Sequence, residues 1–219
     1  MPLPPPPRPA TVGQEPPPPG TAQRLVARAG FVVYEAGRSI FDEPVLVYLA
    51  RTSTHWPDFD VVDHVGRVLG HARLQVRRSA RLTAGPITLF DPGGHRLLSV
   101  RPESKLFRFA YRISGVASAD YVMRSLGSSE LVIEAGNERL GSVLGRGFRG
   151  LSGNHLSLLD HDRRQVGEIR AFVEHRRLLA PVDSFVVRYE PALRGDLRRL
   201  SLAAPMVIAL VRRARRSTT

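Results

Sequence analysis

The last part of the chain contains a twelve-residue apolar run, residues 200–211, that lies between two pairs of arginines. At a rise of about 1.5 Å per residue, a helix over this run is roughly 18 Å long, whereas the hydrocarbon core of a bilayer is about 30 Å thick. Apolar side chains occur all around that helix, so burying one face does not suffice. We therefore predict a helix near residues 196–213, capped by Asp196 and almost completely enclosed by protein. A closed β-barrel supplies such an enclosure.

The chain before this helix contains four segments that each read as a strand, a turn and a return strand. Their strands are rich in Val, Ile, Leu and Phe, and their turns use residues that tolerate positive φ or bond their own backbone. Further strands are predicted where β-branched and aromatic residues predominate. The irregular turn spacing favours one antiparallel domain over a solenoid repeat. The hairpins are predicted at residues 59–70, 87–98, 131–143 and 156–169, and the further strands at 25–27, 30–35, 45–51, 107–114, 120–125 and 185–189.

The order of these features resembles the phospholipid scramblases and their LURP-one-related and Tubby-like relatives. The resemblance covers roughly residues 25–213. It rests on the hydrophobic-Asp-x-x-Gly hairpins, on residues 87–98 (ITLFDPGGHRLL), on residues 183–187 (DSFVV) and on the terminal apolar helix. It implies a mainly β, Tubby-like fold, in which a closed antiparallel β-barrel of about twelve strands surrounds one buried C-terminal helix. It also implies a role at membrane phospholipids.

Composition and the N-terminal residues limit the class of protein, its localisation and its domain organisation. A chain of 219 residues with 42% hydrophobic and 24% charged residues can bury one sizeable core. The absence of cysteine excludes disulfides and thiolate metal sites, and it leaves the palmitoyl anchor common among scramblases unsupported. No signal peptide is visible, which predicts a cytoplasmic protein, peripheral at the inner face of the cell membrane. The predicted divisions are a disordered tail at 1–20, the barrel domain at 21–213 and a basic tail at 214–219.

The N-terminal twenty residues contain ten of the eighteen prolines. Such a segment lacks the side chains to build a core and favours polyproline II. By the resemblance it is a ligand for an SH3- or WW-type groove. The favoured interpretation is a disordered spacer, because proline-rich composition alone is a weak signal.

The net charge of +12 is concentrated at the C-terminus. From Arg194 onward, seven arginines stand against one aspartate, which accounts for half of the net charge. Basic residues near an anionic membrane each contribute about 1 kcal/mol, so this segment predicts weak binding to phospholipid, and nucleic acid is an alternative anionic partner. Arginine outnumbers lysine 31 to one, which indicates a compositional bias and discounts part of this signal. The candidate lipid-binding residues here are Arg212, Arg213, Arg215 and Arg216.

Residues 145–150 (GRGFRG) fit the dinucleotide-binding fingerprint by spacing. That fingerprint must open a helix whose N-terminus receives the pyrophosphate, whereas residues 151–159 read as a short loop and a strand. We therefore interpret the segment as a loop between hairpins. Its two arginines, Arg146 and Arg149, are further candidates for contact with a lipid phosphate.

The sequence predicts neither an enzyme nor a bound cofactor. The histidines do not cluster with carboxylates at ligand spacing, and neither a Gly-x-Ser-x-Gly elbow nor an HExxH helix is present. The resemblance brings with it a calcium segment before the final helix, which here transfers only to Asp183 and Asp196. Calcium prefers six to eight oxygen ligands, and a regular strand directs Asp183 and Glu190 to opposite faces. A turn residue and a helix cap are the preferred interpretations of the two aspartates.

Two functions from different classes therefore remain. The first is a scramblase-like barrel that binds anionic phospholipid at the cytoplasmic membrane face and facilitates scrambling. The second is a Tubby-like, non-enzymatic module for another anionic partner such as nucleic acid, and an uncharacterised enzyme comes third.

Pro205 lies in the middle of the apolar run and is expected to kink the helix. Proline cannot donate a hydrogen bond to the carbonyl of Ser201, and its ring crowds that carbonyl. If the helix is enclosed, a wall side chain or a water molecule has to satisfy the freed carbonyl.

Overall fold

The computed structural model describes residues 20–33, 37, 39–51, 58–74, 85–105, 108–115, 120–145, 150–176 and 179–216. Twelve strands, each antiparallel to its neighbours, form a closed barrel in which β1 pairs with both β2 and β12. This confirms the predicted barrel. The strands are β1 Val45–Ala50, β2 Phe59–Val62, β3 Val68–Leu74, β4 Ile87–Phe90, β5 Arg96–Lys105, β6 Arg108–Ser114, β7 Tyr121–Leu126, β8 Glu130–Ala135, β9 Glu138–Gly145, β10 His155–Asp160, β11 Gln165–Arg176 and β12 Leu179–Tyr189.

The four predicted hairpins are confirmed as the pairs β2–β3, β4–β5, β8–β9 and β10–β11. Their strands alternate apolar residues between the two faces, so one set of side chains points into the barrel. In β12, for example, Phe185 and Val187 belong to the interior core, whereas Val186 belongs to a separate cluster on the outer face.

Two consecutive helices fill the barrel, α2 over Gly195–Ser201 and α3 over Ala204–Arg216. Residues 200–211 are all buried, in agreement with the predicted enclosure. The single helix predicted at 196–213 is wrong in two details, because it is broken at residues 202–203 and it continues to Arg216. Its last turn therefore includes residues 214–216, which were predicted to be part of a basic tail.

The break in the helix lies immediately before Pro205. Leu202 N donates to Arg199 O at 3.3 Å and Ala203 N donates to Leu200 O at 2.9 Å, so the chain tightens into i to i−3 bonds there. Pro205 thus falls in the first turn of α3, where a missing N–H costs little. The hydroxyl of Tyr48, on the barrel wall, donates to Leu202 O at 2.9 Å. A wall side chain therefore satisfies a carbonyl at the break, but it is the carbonyl of Leu202 and not that of Ser201, which the sequence analysis named.

The strands predicted at residues 25–27 and 30–35 are wrong. Helix α1, Thr21–Ala29, occupies the first segment, residues 31–33 lie outside any strand, and residues 34–36 lie outside the described residues. The helix buries Ala22, Leu25, Val26 and Ala29, which recur at helical spacing. It packs on the outer wall against β1, β2 and β12, so β1 is buried on both faces where the first and last strands close the barrel.

Deletion of residues 196–219 is expected to unfold the barrel, because the wall then loses the apolar filling of its interior. Far-UV circular dichroism should show loss of the cooperative thermal transition. Deletion of residues 217–219 serves as the control and should leave the transition unchanged. A soluble 1–195 fragment that melts cooperatively would contradict this expectation.

Replacing Tyr48 by Phe should lower the free energy of unfolding by about 1–3 kcal/mol, since the buried carbonyl of Leu202 loses its donor. Pro205→Ala should leave the fold intact, because the proline lies in a first turn. Urea denaturation of the two variants beside the wild type measures both effects. Equal stability of Tyr48→Phe and the wild type would show that this hydrogen bond does not secure the break.

Candidate functional site

The two ends of the barrel differ and are named here by the helices. The entry end is where α2 enters the barrel, and the exit end is where α3 leaves it. At the entry end, Arg198 is only 4% exposed, and its Nη2 donates to Ile40 O at 3.2 Å and to Glu43 O at 2.8 Å. Ile40 and Glu43 belong to the segment that precedes β1, and Ile40 packs into the interior core. Arg198 therefore holds this segment across the opening at the entry end.

The charge of Arg198 is compensated by an aromatic ring. Its guanidinium carbon lies 3.5 Å from the centre of the Tyr189 ring, a close cation–π contact. Burial raises the pKa of the Tyr189 hydroxyl, and the neighbouring Arg198 opposes that rise. The phenol therefore stays neutral, and its ring face remains a partner for the buried cation.

At the exit end, Arg212 has the corresponding role. It is 2% exposed, and its Nε donates to Leu151 O at 3.0 Å while its Nη2 donates to Gly153 O. Its Nη1 lies 3.3 Å from the carboxylate of Asp183, which is also buried. Sequence analysis nominated Arg212 for lipid and Asp183 for calcium. The structure instead pairs them with each other and uses Arg212 to close the exit end.

The second candidate calcium residue, Asp196, lies at the other end of the barrel. It stands in the first turn of α2, and Arg194 rather than Asp196 occupies the N-cap position, so the cap interpretation is corrected. The hydroxyl of Tyr121 donates to the Asp196 carboxylate at 2.6 Å. The structure thus does not bring Asp183 and Asp196 together. Within the described ranges, no group of three or more His, Asp and Glu side chains is placed to hold a metal ion.

The remaining candidate arginines lie at the exit end or outside the described residues. Arg213 is half-buried, and burial lowers the pKa of its guanidinium. Arg215 contacts the turn between β7 and β8, donating to Ser128 O at 3.3 Å and Gly127 O at 3.4 Å. Arg146, Arg149 and the side chain of Arg216 fall outside the part of the chain that the structure describes.

Three further residues, which sequence analysis did not nominate, lie near Arg215 at the exit end. Leu126 ends β7 and is 46% exposed, next to the turn that Arg215 contacts. Ser128 and Ser152 are exposed, and the hydroxyl of Ser152 lies 3.4 Å from Arg215 Nη1. The hairpin signal of Leu126-Gly-Ser-Ser was available in the sequence, but its position beside α3 was not. The exit-end surface is defined here as Leu126, Gly127, Ser128, Ser152, Arg213 and Arg215.

A groove of about 450 Å³ lies at the entry end. Apolar side chains from β9, β11 and α2 line it, and charged side chains stand among them. Sequence analysis did not find this groove, because its residues come from four separate segments. The lining residues are Glu138, Arg139, Leu140, Asp160, His161, Val166, Ala192, Leu193, Arg194 and Leu197.

None of the helices described in the structure is both long enough and apolar enough to cross a membrane.

Comparison with known proteins leaves the chain without an assigned family. No family model matches it, and no curated protein matches it. Among solved structures, a protein from Arabidopsis thaliana, AT5G01750, is similar at a TM-score of 0.45 and 14% sequence identity, over 79% of this chain and 97% of that chain. Likeness at this level carries no argument about function.

Arg212→Ala is expected to lower the free energy of unfolding by about 3–5 kcal/mol, because the buried carboxylate of Asp183 loses the charge of Arg212 beside it. Arg213→Ala is the matched control from the adjacent position and should cost less, because Arg213 is only half-buried. Urea denaturation of both variants distinguishes the two roles. Equal losses would contradict the assignment of Arg212 to closure of the barrel.

Proposed function

We propose that the protein binds anionic phospholipid at the cytoplasmic face of a membrane through its exit-end surface. The observation that supports this most directly is that Arg213 and Arg215 leave the barrel with α3. No acidic residue follows Asp196 in the sequence, so the end of α3 carries only positive charge. The two arginines together would contribute about 2 kcal/mol of attraction to an anionic bilayer.

The contacts of Arg215 suit exchange with a lipid phosphate. Its bonds to two carbonyls and to the Ser152 hydroxyl are 3.3–3.4 Å long. Bonds from arginine to phosphate, in which both partners are charged, are about 2.7–2.9 Å long and are frequently bidentate. A phosphate that approaches this surface can therefore replace weak contacts with stronger ones. The exposed side chain of Leu126 beside them adds apolar area that suits the headgroup region.

Facilitated scrambling is the finer activity that the family resemblance implies. The barrel interior is filled, since residues 200–211 are all buried and most of them form one core with the inward side chains of the wall. The described part of the barrel therefore leaves no lumen for a phospholipid to enter. We propose that lipid movement, where the protein facilitates it, follows the outer wall.

Removing both exit-end arginines should weaken binding to anionic vesicles. We expect Arg213→Ala/Arg215→Ala to lower partitioning by up to about 30-fold, from about 2 kcal/mol of lost attraction. Co-sedimentation with neutral and anionic vesicles measures this. The wild type should be released as salt rises, since exposed charges are screened over about 8 Å at physiological ionic strength.

The matched control removes two exposed arginines away from the exit end, Arg24→Ala/Arg164→Ala, at the same cost in net charge. An equal loss of binding in the control would show that total charge matters and that the exit end is not the site. Retention on neutral vesicles at high salt would indicate apolar insertion. Duplex DNA that competes fully at matched charge would favour the alternative, a module for anionic partners in general.

A further inference from the structure

The exit-end surface contains hydrogen-bond acceptors as well as cations. Arg215 Nη1 donates to Ser128 O at 3.3 Å and to the Ser152 hydroxyl oxygen at 3.4 Å, and Arg215 Nη2 donates to Gly127 O at 3.4 Å. All three acceptor residues are exposed. Three acceptors therefore face solvent around the guanidinium that we propose for the lipid phosphate.

The two carbonyls among these acceptors are each held by a second donor from the barrel. Leu151 N donates to Ser128 O at 2.9 Å, and the hydroxyl of Ser125 donates to Gly127 O at 3.0 Å. A carbonyl oxygen has two lone pairs. Each carbonyl therefore uses one lone pair to hold the turn between β7 and β8 and offers the other to Arg215.

Binding of a phosphate by Arg215 would leave these acceptors without that donor. A headgroup that carries donors beside its phosphate can replace the guanidinium there, whereas a headgroup without donors leaves the acceptors to water. Because the acceptors lie within 3.4 Å of the guanidinium nitrogens, only donors close to the phosphate can reach them. An ammonium donor brings a positive charge toward Arg213 and Arg215, and a hydroxyl donor does not.

We infer that the exit-end surface selects anionic phospholipids whose headgroups carry hydroxyl groups beside the phosphate. Arg213 and Arg215 attract the phosphate, and the acceptors around Arg215 bind the hydroxyls. Headgroups of equal charge that lack such donors bind more weakly. This inference rests on the proposed function and adds to it a chemical class of lipid.

Vesicles of equal charge and different headgroup chemistry test this selection with the full-length protein. Phosphatidylglycerol carries headgroup hydroxyls, phosphatidylmethanol carries no donor, and phosphatidylserine carries an ammonium, while the net charge of the three lipids is the same. Co-sedimentation should show binding to phosphatidylglycerol that is about three- to tenfold tighter than to either other lipid, the effect of roughly one net hydrogen bond. The preference should persist as salt weakens all binding, because screening acts on the charges that the lipids share.

Substitutions separate attraction to phosphate from recognition of the hydroxyls. Arg215→Ala should weaken binding to all three lipids, whereas Ser152→Ala should reduce the preference for phosphatidylglycerol by about twofold. The matched control is Ser114→Ala, because the exposed hydroxyl of Ser114 accepts from Arg96 Nη2 at 2.8 Å at the entry end. This control should leave the preference unchanged. The soluble headgroup, glycerophosphoglycerol, should not compete at the concentration of the accessible lipid.

The results that contradict this inference differ from those that contradict the proposed function. Equal binding to phosphatidylglycerol and phosphatidylmethanol would overturn the selection and leave binding of anionic lipid standing. Equally tight binding to phosphatidylserine would overturn the preference for a hydroxyl over an ammonium. An equal effect of Ser114→Ala and Ser152→Ala would remove the exit end as the site of selection, and full competition by glycerophosphoglycerol would assign the site to a soluble phosphodiester. Failure of every anionic vesicle to retain the protein would contradict the proposed function itself.

Discussion

Mutual enclosure of wall and helix is the constraint on which the rest of this structure depends. An eight-stranded barrel is just wide enough for its own side chains to fill, so twelve strands leave a wider interior that the wall alone cannot occupy. Helices α2 and α3 supply the missing volume, with residues 200–211 all buried. The wall in turn covers a segment whose apolar side chains surround its axis. Neither part has another way to remove its apolar surface from water.

The same enclosure explains the positions of the two buried arginines. Arg198 and Arg212 lie toward opposite ends of the filling, and each donates to two carbonyls of a segment that closes one opening. Carbonyls in such closing segments lack strand partners, and guanidinium groups supply several donors in a fixed geometry. One cation is balanced by the Tyr189 ring and the other by Asp183. Because both arginines are buried and bonded to these carbonyls, their role is to stabilise the closed ends of the barrel.

This separation of roles shapes the proposals for function. Once Arg212 is committed to closure, Arg213 and Arg215 remain as the described cations of the exit-end surface. The interior of the described barrel is filled, and charge and shape differ between its two ends. The proposed binding of anionic phospholipid uses the exit end, where Arg213 and Arg215 lie.

The sequence by itself determined the barrel, because its signals are local and repeated. The hairpins each combine a period of two with a specific turn, and the apolar run ending at Val211 admits no exposed face. Helix α1 was missed because its apolar residues recur at a spacing longer than the three-residue window that was read as a strand. Only the tertiary structure decided between Arg212 and Arg213, which are chemically identical neighbours, because the rotation of α3 against the wall buries one and leaves the other partly exposed. The groove was likewise decided by packing, since its residues meet only when four distant segments are brought to one end of a closed barrel.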